Sequence, residues 1–383
     1  MLQNVRLINY RSLKDTTIPL APITLLTGTN GIGKTSVLEG LYFLLSPQVP
    51  DASVFSRYMP VININISGTN GTSNMLLPVP TKGYDYLSFW KECPTNGATE
   101  CQVEGSLGTL KLSWEMKLSD FSKLDDNLKK IATSYGLQGG VGIPYAMWEW
   151  ICSGRVRDCK NDEITDIDHS TRAVQQLAME PRFSPRIMEV STMLSPTACR
   201  YVDMSSFRHV PDKLPYQTEK LLIRALAIIN PNVVGVRLDG NPLRLRVIFN
   251  DESENSLGTL GVGAETWTSM LLILAELASS NTSLSPIMFL ADEIGAGIHY
   301  RKLGEMWDFL SKFLEKHPQI QMVLTTHSCD CIKAFCKTFE HVKPGNAQIV
   351  QLHKAKEKDG IGTTTYSHET FSNILIDNWE VRG

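Results

Sequence analysis

Two hydrophobic periodicities alternate along the chain. Val5-Arg-Leu-Ile-Asn-Tyr10 switches between apolar and polar positions, as a half-buried strand does, and Ile23 to Leu26 is a short apolar run of strand length. Val37, Leu38, Leu41, Tyr42, Leu44 and Leu45 then follow helical spacing until Pro47 stops it. Short strands separated by Gly, Asn, Pro and Thr fill Val61 to about Leu118, which predicts an antiparallel accessory β region over 61–118. Residues 119–199 read as a mainly helical insertion, exemplified by Ala173 to Met179, with GLQGGVG interrupting it at 136–142.

Order resumes with a strand at Tyr201-Val-Asp-Met204 and a helix over Glu219 to Ile229. A hairpin follows, pairing Val233 to Leu238 with Leu243 to Phe249 around Asp239-Gly240. The last third predicts a helix from about Glu265 to Ser279, a strand Ile287 to Ala291, a helix Lys302 to Lys316 and a strand Gln321 to Thr325. Leu303, Met306, Trp307, Leu310, Phe313 and Leu314 form one apolar stripe on the Lys302 helix, the pattern of core packing rather than of a ligand site. Strands alternating with helices imply a parallel core sheet, so the expected fold class is α/β. The expected organisation is one domain assembled from 1–60 and 200–383, with 61–118 and 119–199 inserted.

At 383 residues and 42% hydrophobic content the chain can bury a large core. No apolar run approaches the roughly 20 residues that span a bilayer, and the first 20 residues lack the apolar core of a secretion signal, so a cytoplasmic location without a membrane partner is expected. Eight scattered cysteines without CxxC spacing read as reduced thiols. The net charge of −3 argues against a surface that grips nucleic acid by bulk electrostatics, although a local basic patch remains compatible with it.

Three stretches carry candidate chemistry. GTNGIGKTS at 28–36 follows an apolar strand, opens a helix and fits the phosphate-loop spacing G-x-x-x-x-G-K-[ST]. Its backbone N–H groups, from Asn30, Gly31, Ile32, Gly33, Lys34, Thr35 and Ser36, can surround phosphate oxygens because glycine tolerates the required φ values. Lys34 is expected to reach the β- and γ-phosphates of ATP, and Thr35 to bind Mg²⁺ through its hydroxyl. The second stretch, IMFLADEIGAGIHY, ends an apolar strand in Asp292, the expected metal-side carboxylate, with Glu293 next to it to polarise the attacking water. The third, VLTTHS, ends another apolar strand at His327, a candidate contact to the γ-phosphate.

These blocks, in this order, resemble the ABC-type P-loop ATPase head shared by SMC proteins, RecF-like repair proteins and the overcoming-lysogenization-defect (OLD) family, with single-head OLD-like ATPases most similar. NYRSLKD and ITLLTGTNGIGKTSVLEGLYFL look like that family's opening, and FLADEIGAGIHYRKLGEMWDFL, QIQMVLTTHSCDCIKAF and NWEVRG like its closing part. The resemblance implies ATP and Mg²⁺ at a head-to-head homodimer or higher homo-oligomer, Arg11 near the phosphates, and a signature loop of one subunit capping the nucleotide of the other. LGTLGVGAETW at 257–267 supplies that loop through Gly261 and Gly263, with Val262 where relatives carry Ser or Asp. Gly295 stands where an acid is usual, and Gln102 is the nearest approach to a lid glutamine.

The resemblance also implies a role. OLD nucleases carry a TOPRIM domain after the ATPase head, so here the nuclease is expected on a separate effector chain, TOPRIM-like or HNH-like, as in the PARIS and Septu types of anti-phage defence. A DNA-repair ATPase that binds duplex DNA directly is the alternative, and it predicts affinity that falls steeply with salt. An ABC transporter subunit is disfavoured by the lack of an LSGGQ signature and of a membrane span.

Overall fold

The computed structural model describes residues 1–45, 61–68, 71–78, 93–95, 97–107, 110–119, 143–157, 164–176, 199–203, 213–239, 244–279, 287–340, 345–355, 360–367 and 369–371. The core sheet follows from its apolar runs. β3 (Ile23–Thr27), β14 (Ile287–Asp292) and β15 (Ile320–Thr325) are buried at every position, as strands covered on both faces must be. With β10 (Cys199–Asp203), β16 (Ala347–Lys354) and β17 (Ile361–Ser367) they form one six-stranded sheet in the order β10-β14-β15-β3-β16-β17. All neighbours in it are parallel except β17, which runs antiparallel to β16 along one edge.

Side chains alternate between the two faces of this sheet and divide the interior into two cores. Leu25, Phe289, Met322, Leu324 and Ile349 face one core, shared with α2 (Tyr216–Ile229), α3 (Val262–Ser279), α4 (Leu303–Lys316) and α5 (Cys329–Phe339). Leu26, Met288, Leu290, Val323 and Val350 face the other, shared with α1 (Lys34–Leu45) and the accessory sheet. The helices on the first face are fixed by indole hydrogen bonds: Trp267 Nε1 donates to the Ala225 carbonyl and Trp307 Nε1 to the Cys331 carbonyl, both at 3.2 Å. Trp307 also meets the Phe335 ring edge-on, centroids 5.0 Å apart.

The accessory sheet has the order β2-β1-β6-β7-β8-β9 and is antiparallel throughout. Its strands are β1 (Asn4–Tyr10), β2 (Leu13–Pro19), β6 (Glu100–Leu107), β7 (Leu110–Ser119), β8 (Ile143–Arg157) and β9 (Ile164–Gln176). A separate hairpin pairs β4 (Val61–Gly68) with β5 (Gly71–Pro78), and β11 (Val233–Asp239), β12 (Arg244–Phe249) and β13 (Glu254–Ser256) make a small third sheet. Buried Gln321 joins the first strand to the core: its Nε2 donates to the Leu2 and Ala21 carbonyls, at 2.8 and 3.1 Å, and its Oε1 accepts from the Leu2 N–H at 2.9 Å. Helix α1 lies so close to β1 that a Cβ on Gly40 would come within 2.6 Å of Leu7 Cδ2.

The α/β class, the parallel core and an antiparallel accessory sheet agree with the sequence reading, although that sheet draws on β1, β2, β8 and β9 as well as on 100–119 and leaves β4 and β5 apart; the helical insertion does not agree. Where helix was expected, 143–157 and 164–176 are two long strands paired residue for residue from Tyr145↔Gln176 to Arg157↔Ile164, and they include Ala173 to Gln176. Pairing with β7 and with each other supplies backbone partners that local helical propensity cannot outweigh. The rest of that region, including GLQGGVG at 136–142, lies outside the described residues, as do Gly240 and NWEVRG.

Removing Trp307 would empty a fully buried site and take the indole hydrogen bond away from the Cys331 carbonyl. Trp307→Ala should lower unfolding stability by about 3–5 kcal/mol in denaturant titration, with nucleotide binding retained in the folded fraction.

Candidate functional site

The parallel register sets the carboxyl ends of β14, β15 and β3 side by side, with Ala291 opposite Leu324 and Thr325 opposite Leu26. Whatever follows each strand therefore meets at one edge, where ligands bind in open α/β sheets. After β3 comes the glycine loop, β14 ends in Asp292 with Glu293 next, and β15 ends in Thr325 with Thr326, His327 and Ser328 next.

The loop keeps the conformation its glycines allow. Gly28, Gly31 and Gly33 have φ of 135°, 78° and 111°. A Cβ on Gly28 would meet the Leu352 carbonyl at 2.5 Å, and one on Gly33 would meet Ser12 Oγ at 2.9 Å, so larger residues do not fit. Asn30 and Gly31 are exposed at the rim, Ile32 and Ser36 are buried, and Thr35 is half-buried. Lys34 opens α1, so its ammonium and the first N–H groups of that helix share one positive end. Lys34 Nζ donates to the Gly28 and Thr29 carbonyls at 2.8 and 3.1 Å. Burial draws its pKa below the ordinary lysine value, while the nearby carboxylates of Glu293 and Asp292 oppose that shift.

Asp292 is buried at the end of β14. Its Oδ2 accepts from Thr35 Oγ1 at 2.7 Å and its Oδ1 from Thr325 Oγ1. Glu293 has left-handed backbone, φ 59°, and its Oε2 lies 2.5 Å from His327 Nδ1. Lys34, Thr35, Asp292, Glu293 and His327 thus gather at one corner. The oxygens of Thr35 and Asp292 fit Mg²⁺, which takes one or two protein oxygens and completes its shell with water and phosphate. The glycine cradle and Lys34 fit a polyphosphate.

Arg11, φ 50°, turns to the same helix but to its side: its Nε donates to Glu39 Oε2 at 2.8 Å, an ion pair with both partners largely buried. Gly261 and Gly263 sit elsewhere. Gly261, φ 92°, precedes α3, and a Cβ on Gly263 would lie 2.1 Å from the Gly297 carbonyl, so the signature loop rests on the loop that follows Glu293. Gln102 donates to Glu104 Oε1 and Ser113 Oγ within the accessory sheet. Sequence reasoning missed two groups. Glu39 reads as a surface helix position, and Thr325 as the last residue of an apolar strand. A hydroxyl closing a buried run, where a partner is obligatory, was the available signal.

Residues 1–93 match the family described as AAA ATPase domain. Over 65 residues the chain is 34% identical to the OLD nuclease of Thermus scotoductus, a match that spans 17% of this chain and 12% of that protein. Among solved structures it is similar to an Smc head bound to the C-winged helix domain of ScpA, at 11% identity, 97% and 99% coverage of the two chains and a TM-score of 0.49. It is also similar to the SMC head domain from Thermotoga maritima, at 11% identity, 95% and 98% coverage and a TM-score of 0.42. Cys199, Cys331 and Cys336 are free thiols, and no described helix is long and apolar enough to cross a membrane. The fold is α/β, and its first 93 residues, which include the glycine loop, match the AAA ATPase domain.

Proposed function

We propose that this chain is a magnesium-dependent ATPase that closes on ATP as a head-to-head dimer and regulates a separate effector, a nuclease acting in anti-phage defence. The observation that carries the catalytic part is the convergence of Lys34, the Thr35–Asp292 pair and the Glu293–His327 pair at one sheet edge. Mg²⁺ bound by Thr35 and Asp292 would neutralise charge on the β- and γ-phosphates. Lys34 turns from the loop carbonyls to the phosphate oxygens. Glu293 accepts a proton from the water that attacks the γ-phosphorus, and the bond to the β-phosphate oxygen breaks to release ADP and phosphate. His327 holds the Glu293 carboxylate and faces the same terminal phosphate.

Support for the dimer is an exposed surface on the signature loop and the segment after Glu293. Val262, on the signature loop, and Tyr300, on the loop after Glu293, are 58% and 54% exposed, and their loops touch through Gly263 and Gly297. Large exposed apolar groups on adjacent loops favour burial against a second copy. Support for the nuclease effector is the 65-residue likeness to an OLD nuclease. ATP at the shared interface stabilises the dimer by its binding free energy, and hydrolysis removes that contribution, which gives the effector a nucleotide-dependent surface to read.

Lys34→Ala removes a charged hydrogen-bond donor and should weaken ATP binding by about 10- to 100-fold in a fluorescent-nucleotide titration. Glu293→Gln should retain binding, slow turnover by about 100-fold or more, and accumulate an ATP-bound dimer in sedimentation. Turnover at the parental rate would remove Glu293 from the role of base.

Gly263→Ala drives a methyl group into the Gly297 carbonyl and displaces the signature loop. Sedimentation should then show loss of the ATP-dependent dimer while monomer nucleotide affinity is retained. An intact dimer would move the interface away from this loop.

A further inference from the structure

We propose that Thr325 is the positioning residue that holds the metal-side carboxylate of Asp292 and the base Glu293 in one fixed relation. This inference rests on the ATPase reading of the site and assigns a role to a residue outside its phosphate, metal and base groups.

A threonine hydroxyl has one proton to give and lone pairs to receive, and Thr325 uses both on consecutive residues of the neighbouring strand. Its Oγ1 donates to Asp292 Oδ1 and accepts the Glu293 N–H at 2.9 Å. Its carbonyl accepts the Ile294 N–H at 2.8 Å, so one residue at the end of β15 grips 292, 293 and 294 in turn. Thr325 is fully buried, which removes water as a competitor for these bonds.

The gripped segment needs such an anchor. Glu293 holds a left-handed backbone that a residue with a side chain rarely adopts, and such a conformation persists only where its surroundings fix it. Thr35 fixes the other oxygen of Asp292 at 2.7 Å, and His327, two residues beyond Thr325, fixes the Glu293 carboxylate. Thr325 is the group common to both halves: by holding Oδ1 it orients the carboxylate that would present its other oxygen, beside Thr35, to Mg²⁺, and it holds the backbone from which the base projects. Branching at Cβ also restricts its χ1, so the hydroxyl has little freedom to leave. Valine has nearly the same shape and neither donates nor accepts.

The test uses the full chain and two readouts. One is the Mg²⁺ concentration for half-maximal ATP turnover. The other is the gain in affinity for a fluorescent nonhydrolysable ATP analogue when Mg²⁺ is added. Thr325→Val should raise the Mg²⁺ requirement by about 10- to 100-fold, the usual effect of losing a group that orients a metal ligand. It should also shrink the Mg²⁺-dependent gain in affinity and leave Mg²⁺-free affinity unchanged. Thr325→Ser keeps the hydroxyl and should restore both. Thermal unfolding checks that Thr325→Val folds, and Thr325→Ala takes its place if it does not. A folded Val or Ala variant with the parental Mg²⁺ requirement overturns the proposal alone, as does a Ser variant equally impaired. A parent chain without Mg²⁺-dependent nucleotide binding overturns the underlying ATPase reading, and the proposal with it.

Discussion

A carboxylate buried at the end of an apolar strand is tolerated only when donors surround it, and the fold is arranged to supply them to Asp292. One comes from Thr35, at the start of α1 and 257 positions away in sequence, the other from Thr325 on the adjacent strand. Both arrive only if β14, β15 and β3 are neighbours, parallel and in the observed register, since a slip of one residue would turn the donors to the opposite face. The same register brings Lys34 and His327 to that corner. The geometry of this corner and the sheet topology are therefore satisfied by one set of strand pairings.

Backbone shape imposes the second constraint, and it bears on Gly295, where the sequence resemblance leads one to expect an acid. Its φ is 82°, and a Cβ there would lie 3.0 Å from Leu303 Cδ2 and 3.2 Å from Cys331 Sγ. A carboxylate would have to enter a left-handed conformation against the packed start of α4 and α5. The left-handed backbone favours glycine at this site, and the close side chains of the chain's own core add to that preference.

Much of the site could be read from sequence because the strands that deliver it are buried on both faces. Such strands appear as unbroken apolar runs, so Ile23–Leu26, Ile287–Ala291 and the run ending at Thr325 stood out with their polar termini attached. The stripe of α4 was equally plain, and Leu303, Met306, Trp307, Leu310 and Phe313 are all buried. β8 and β9 were not readable, because their strand character comes from pairing across the accessory sheet, which local propensity does not encode. β16, the partner of β3 on the side away from β15, was missed as well. Glu39 was hidden for a different reason. An acid within a helix reads as solvated, and only the fold brings the Arg11 guanidinium to it.

The contact between Gly263 and Gly297 joins the start of α3 to the segment after Glu293 without side chains. A Cβ on Gly297 would approach Gly263 Cα at 3.0 Å, and one on Gly263 would approach the Gly297 carbonyl at 2.1 Å, so backbone lies directly on backbone. Rotamer changes cannot absorb a displacement there, because there are no rotamers. Gly297 is four residues from Glu293, and Gly263 opens α3, an 18-residue helix of about 27 Å that is buried along most of its length. A shift of the segment after Glu293 must either be resisted by α3 or carried along it, since close-packed interiors transmit strain better than they dissipate it. Small residues at this junction thus make the α3 end a rigid extension of the segment that bears Glu293.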